Sequence, residues 1–212
     1  MSEEAETALR RAWEARAWDG ATDLLLRSYG REILELLHAL HRDETDAAEV
    51  FSLFAEGVWR GMQRFEGASS FRTWAYAIAR RCSLRYRRDA RRRDAKTAPL
   101  GEGSSLSILA ERLQTETASY LKTRTRSRIA ELRATLPEED QMLLMLRVDR
   151  QLSWTDLALV MREAESDQPL EGEALKRETA RLRKRFQLVK EKLYALGKQE
   201  GLVGGGRDGA AE

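Results

Sequence analysis

Between Phe71 and Arg93 the chain sets aromatic rings and guanidinium groups on one predicted helix: Phe71, Trp74 and Tyr76, then Arg80, Arg81, Arg85, Arg87, Arg88 and an arginine-dense end. Rings stack on bases that have left a duplex, and arginines hold the phosphates on either side. The composition therefore suits a surface that opens or grips separated nucleic-acid strands. Phe71, Trp74 and Ile78 also follow the i, i+3, i+7 spacing of a buried stripe, while Tyr76, Arg80 and Arg87 fall elsewhere on the wheel. Two readings stand side by side: a nucleic-acid platform, or a solvated basic face over an ordinary core.

Charge segregation supports the first. The formal net charge of the 212 residues is only +2. Residues 71–100 nevertheless carry ten Lys/Arg against two Asp/Glu, and residues 174–198 carry nine against two. The rest is acidic, with eight against fourteen over residues 1–70 and nine against fourteen over residues 101–173. Two basic blocks in an acidic chain attract a polyanion locally, through phosphate neutralisation and counterion release. Two separated blocks imply two contacts.

Other chemistries find little support. No nucleophile, base and orienter set is present, nor a Gly-rich phosphate loop, and no metal or cofactor is expected. No enzymatic activity is expected either. Cys82 is the only cysteine, so no intramolecular disulfide can form, and it reads as a small packing residue. His38 and His41, with Glu35 and Asp43, make at best a weak metal set and read as surface residues. No run approaches the ~18 apolar residues a membrane span needs. The start, with Glu3, Glu4 and Glu6, is unlike a signal peptide, so a cytoplasmic protein is expected.

The elements that must position these residues are helical. Three prolines and almost no alternating apolar/polar runs predict an all-α protein. Helices are expected from about Glu3 to Trp18 and from Ala21 to Leu40, the latter apolar at Leu24, Leu25, Ile33, Leu36, Leu37 and Leu40. A third, capped by Thr45 or Asp46, runs to about Phe65 with Val50, Phe51, Phe54, Val58 and Met62 on one face. Gly67 can take a positive φ, and Ser69 or Ser70 can cap the aromatic and basic helix, expected from Phe71 to Arg88.

Asp89 to Ser107, with Pro99, Gly101 and Gly103, reads as a flexible linker. A helical unit follows from near Leu106, including Leu109, Leu113 and Tyr120. Pro137 with Glu138, Glu139 and Asp140 starts a helix that continues through Leu146. Ser153 and Asp156 form a capping box before a short helix. A polar connection, Glu163 to Gly172, leads to a basic helix from about Glu173 to Leu196. The pair is a helix-turn-helix candidate, although any helical bundle contains helix pairs.

Two blocks then carry a family resemblance. Asp46-Ala47-Ala48-Glu49-Val50-Phe51 through Trp59-Arg60 to Arg64-Phe65, followed by Ser69-Ser70-Phe71-Arg72-Thr73-Trp74-Ala75-Tyr76-Ala77-Ile78-Ala79-Arg80, resembles the second domain of bacterial RNA polymerase sigma factors of the extracytoplasmic-function group. Leu136-Pro137, Leu152-Ser153-Trp154 with Leu157-Ala158 and Met161, and Leu182-Arg183-Lys184-Arg185-Phe186 to Leu193 look like the fourth domain of that family. The resemblance covers about residues 20–90 and 128–196. It implies two small helical domains, at 1–90 and 108–200, joined by a linker at 91–107; the Gly-rich stretch 201–212 reads from its composition as a disordered tail.

It also implies roles. Asp46, Glu49, Ser52 and Leu53 would face core RNA polymerase at the β′ clamp helices, although Asp46 and Glu49 also serve helix capping, and Ser52-Leu53 stands where the family often has Gln-Glu. The loop Glu66 to Ser70 and the helix behind it would capture a flipped base and melt the promoter −10 element. Ser69, Ser70, Arg72, Tyr76, Arg80, Arg81, Arg85 and Arg88 would supply those contacts, with Phe71 and Trp74 fastening the loop from beneath. Arg181, Arg183, Lys184 and Arg185 are the candidates for reading the −35 element, or else solvated charges on a mixed face. Twenty residues separate Met161 from Leu182, more than the family's turn, so the recognition helix is extended by Ala174 to Ala180. Promoter DNA, the polymerase β′ clamp and β flap, and an anti-sigma factor are the implied partners, with no membrane. A stand-alone helix-turn-helix regulator and a helical interaction protein are the alternatives.

Overall fold

A computed structural model describes residues 2–93, 128–162 and 170–202. Every regular element among the described residues is helical, as the sequence predicts. In chain order they are α1 (Ser2–Glu14), α2 (Trp18–His41), α3 (Glu44–Gly61) with a 3-10 turn at Met62–Arg64, and α4 (Phe71–Arg93). Then come α5 (Arg128–Ala134), α6 (Glu138–Leu144) running into a π-helical turn at Met145–Asp149, α7 (Trp154–Met161) and α8 (Gly172–Gln199). The described residues fall into two compact units, 2–93 with 159–162 and 128–158 with 170–202. The expected helix through Leu109, Leu113 and Tyr120, most of the connection from Glu163, and the tail beyond 202 lie outside the described residues.

In the first unit, α2 buries Leu25, Leu26, Tyr29, Ile33, Leu37 and Leu40 against Val50, Phe51, Phe54, Val58 and Met62 of α3 and its 3-10 turn. Each large side chain taken fully from water stabilises the fold by roughly 1.5–3 kcal/mol before the entropy of ordering it is counted. α1 is shorter than expected. Arg16 turns into the left-handed region (φ 55), which ends that helix and lets α2 start at Trp18.

The cap of α3 lies two to three residues before the predicted one. Asp43, with extended backbone, accepts the Asp46 N–H on its side-chain oxygen at 2.9 Å. Thr45 and Asp46 therefore lie inside the helix.

α3 and α4 cross closely because of two glycines one turn apart. A Cβ at Gly57 would stand 3.0 Å from Ile78 Cγ2, and one at Gly61 would stand 2.9 Å from Trp74 Cζ2. α4 also runs five residues past the expected end at Arg88. Asp89 to Arg93 contains no glycine or proline, and Arg85 lies 3.6 Å from Asp89 across one turn.

The second unit is held by Leu136, Leu144 and Val189, with Phe186 and Leu193 packed against them. The buried Gln141 amide donates to the carbonyls of Leu136 (2.7 Å) and Ala134 (3.4 Å), fastening the end of α5 to α6. Ser153 caps α7 as its spacing predicts. Its Oγ accepts the Asp156 N–H at 3.0 Å and donates to the Asp156 carboxylate at 2.6 Å.

Candidate nucleic-acid interface

The start of α4 is built by three acceptors. Ser70 Oγ accepts the Thr73 N–H at 3.0 Å, whereas Ser69 Oγ donates to the Ser70 carbonyl at 3.1 Å, so Ser70 is the cap of the two candidates. The remaining N–H groups of the first turn find Glu6 of α1. One carboxylate oxygen accepts Phe71 N–H at 3.0 Å, and the other accepts Arg72 N–H at 2.9 Å and the Tyr29 hydroxyl at 2.9 Å. A carboxylate at this position satisfies free backbone donors and meets the positive end of the helix dipole.

Aromatic rings secure both ends of the 66–70 loop. Phe65, just before it, lies 4.5 Å from the Phe71 ring and 5.0 Å from Trp74, with Trp13 edge-on at 5.8 Å. Phe71 and Trp74 thus anchor the loop from below, as expected. Gly67 takes φ 73, a conformation side-chain-bearing residues rarely adopt. An open groove of about 610 Å³ runs between α1 and the loop, bordered by Thr7, Arg10, Arg11, Ser69 and Ser70.

The structure divides the predicted −10 residues. Arg72 forms a two-pronged pair with Glu32, at 2.8 and 2.9 Å, and that bond raises its pKa above the ordinary guanidinium value. Its guanidinium also lies over the Tyr76 ring, 5.5 Å from the centroid. Tyr76 is 0% exposed and Arg80 only 4%. These three placements correct the expectation: Arg72 is engaged with a carboxylate, the Tyr76 ring has no face open to a base, and Arg80 is buried in the first unit.

Arg81, Arg85 and Arg88 remain. All three are exposed, at i, i+4 and i+7, and form one ridge along α4. The Arg85 side chain is 80% exposed, so its pair with Asp89 is screened by water and leaves the cation available. Arg87, off this ridge, donates to the Leu40 carbonyl at 2.6 Å and closes the C-terminus of α2.

On α3, Glu49 and Ser52 are exposed, Asp46 and Leu53 half-buried. Asp46 accepts the Tyr86 hydroxyl at 2.7 Å, and Ser52 donates to the Ala48 carbonyl at 3.1 Å. Trp59 is 47% exposed, its indole N–H bonded to Asp19 at 3.1 Å.

The histidines are not surface residues as expected. His41 is half-buried, 2.8 Å from Ser83 Oγ and edge-on to Tyr86. Burial and then the Arg87 charge push its pKa down to about 4, against an opposing effect of Asp46, and burial also lowers that of His38. Burial pushes the Cys82 thiol up to about 11, which suits a packing residue. Among the described residues no cluster of three His, Cys, Asp or Glu is placed to hold a metal, and no helix is long and apolar enough to cross a membrane.

On α8 the four predicted cations have different surroundings. Arg185 donates to Asp140 at 2.6 Å and to Glu139 at 2.7 Å, joining α8 to the first turn of α6. Arg183 lies over the Trp154 ring at 5.6 Å, with Arg147 over the same ring at 4.8 Å. Arg181 pairs with Glu178 at 2.6 and 2.8 Å, and Lys184 is exposed. The placement of Arg185 departs from expectation, because a guanidinium held by two carboxylates is not presented to DNA.

Glu6 and Glu32 are the functional-site residues that sequence reading misses. Both act across at least 40 positions, and neither carries a local pattern.

Residues 25–93 match the family model for sigma-70 region 2, about a third of the chain. The match takes in most of α2, all of α3 and the whole of α4, and so includes both the 66–70 loop and the arginine ridge. It does not include α1. No curated protein matches the chain.

Proposed function

We propose that the chain is a sigma factor of the extracytoplasmic-function type, which binds core RNA polymerase and directs it to promoters. The observation that carries this reading is the coincidence of the sigma-70 region 2 match with a loop fastened at both ends and an exposed arginine ridge leading away from it. On this reading polymerase supplies the catalysis and the chain supplies promoter address and strand opening.

Physical chemistry assigns the parts. Extruding a base from a duplex costs a few kcal/mol, and stacking or pocket contacts return about 1–3 kcal/mol per base. Phosphate contacts and the polymerase must supply the difference, and on this reading the exposed Arg81, Arg85 and Arg88 follow a backbone away from the loop. At ~1.5 Å per residue the ridge covers roughly 10 Å of helix axis, the rise of about three nucleotides at 3.4 Å each. The outer face of α3, with Glu49, Ser52 and half-buried Asp46 and Leu53, is the docking surface for the β′ clamp helices. α8, with exposed Arg181 and Lys184, is the reader of the −35 duplex.

The test is association with purified core polymerase followed by transcription from a library of duplex promoters randomised around −35 and −10. A sigma factor yields a stable complex and start-site-specific transcripts. A free-standing regulator binds duplex DNA yet yields neither, and that result refutes the proposal.

A further inference from the structure

α8 is 28 residues long, and of its side Leu182 and Val189 are buried, with Phe186 and Leu193 packed beside them. Arg185 falls on this inner side and is consumed by Asp140 and Glu139, while Arg183 lies on Trp154. The opposite side carries Arg177, Ala180, Lys184 and Gln187, at i, i+3, i+7 and i+10, all exposed. The side chains of Arg177, Lys184 and Gln187 make no hydrogen bond or ion pair with another described residue.

The side chains of this face can meet base edges as well as phosphates. Arginine presents a fork that fits guanine O6 and N7, and glutamine one that fits adenine N6 and N7. A neutral amide can donate to a phosphate but brings no charge to it, whereas its paired donor and acceptor distinguish bases. Ala180 keeps the middle of the face low, so the helix can lie deep in a major groove, and its methyl can meet that of thymine. Ten residues of helix cover about 15 Å, the length of roughly four base pairs at 3.4 Å each.

We infer that Arg177 and Gln187, flanking Lys184, are specificity-determining contacts to base edges of the upstream promoter duplex, and that Arg183 and Arg185 are not. The inference rests on α8 being the duplex reader of the proposed function. It extends the reading face six residues towards the start of α8 from Arg183 and adds a neutral reader two residues beyond Arg185.

The experiment uses the full chain with core polymerase and a duplex library randomised over the upstream element, sequenced after selection, with complex formation on core measured separately. The wild type should enrich a short motif. Arg177→Ala and Gln187→Ala should each flatten the preference at one cluster of positions, by roughly 5- to 150-fold, with core binding unchanged. Arg183→Ala should keep the motif, and Arg185→Gln should lower the urea midpoint while keeping it. Gln187→Lys serves as a second variant, because added charge raises affinity for any phosphate backbone yet should still erase the base preference.

Retention of the full motif by both Arg177→Ala and Gln187→Ala, or its loss in Arg183→Ala, overturns the inference. So does a wild-type chain that enriches no upstream motif while binding core and starting transcription, an outcome that leaves the proposed function standing. Motif enrichment without core binding does the reverse.

Discussion

Glu6 caps α4 at Phe71: a carboxylate oxygen from the first helix accepts the Phe71 N–H at 3.0 Å, across 65 positions of sequence. Its second oxygen takes Arg72 N–H and the Tyr29 hydroxyl, so one side chain ties α1, α2 and the end of the 66–70 loop together.

Glu6→Ala should therefore destabilise the first unit by about 2 kcal/mol, because charge-assisted bonds to helix-end donors are lost together. Urea unfolding measures this. The same variant, saturating with core polymerase, should open duplex promoters poorly while using a pre-melted bubble nearly normally. Equal loss on both templates would make Glu6 a folding residue only.

The arginines of α4 should separate by salt dependence. Alanine at Arg81, Arg85 or Arg88 should leave stability within about 0.5 kcal/mol and reduce the slope of log affinity against log salt by about one each. Arg72→Ala should instead cost about 1–3 kcal/mol of stability by stranding half-buried Glu32. Unfolding curves and promoter binding over a salt series distinguish the two behaviours.

Gly61→Ala tests the helix crossing. Alanine is intrinsically the better helix former by about 1 kcal/mol, but its Cβ would sit 2.9 Å from the Trp74 ring, which has Phe65 5.0 Å away on its own cluster. Steric displacement should outweigh propensity and leave a net loss of about 1–2 kcal/mol. A urea midpoint at or above that of the wild type would contradict this close packing.

His41 gives a pH dependence of fixed sign. Its folded pKa, about 4, lies below the unfolded value near 6.5, so the unfolded chain binds more protons between these values. The stability it contributes is present above pH 6.5 and is lost as pH falls towards 4. After allowance for solvent screening, the loss is about 1–3 kcal/mol. The surrounding groups are Ser83, Tyr86, Arg87 and Asp46. Urea midpoints from pH 7 to pH 4 should fall less steeply in His41→Gln than in the wild type.

What was legible in the sequence was local. Ser153 declares itself as a cap because its partner Asp156 is three residues away, and Gly67 because the turn after α3 needs a positive φ. The helical class and most helix starts follow from the same short-range chemistry. Tyr76 misleads because α4 packs against both α2 and α3, so its buried arc is wider than the stripe through Phe71, Trp74 and Ile78. Arg72 and Arg185 read as cations available to DNA, since the acids that claim them, Glu32 and Asp140, lie 40 and 45 positions away. Charge counts cannot distinguish a guanidinium facing water from one already paired across the fold.

On the proposed function, this chain gives a polymerase the ability to open promoter DNA. The most direct measurement is permanganate reactivity of unpaired thymines on duplex promoters selected from the randomised library, with core polymerase alone, with the wild-type chain, and with Arg81, Arg85 and Arg88 all changed to alanine. Reactive thymines near −10 are expected only with the wild-type chain, and initiation by the triple variant should return when the bubble is pre-melted. Reactivity as strong with the triple variant as with the wild type, or none with either, would contradict it.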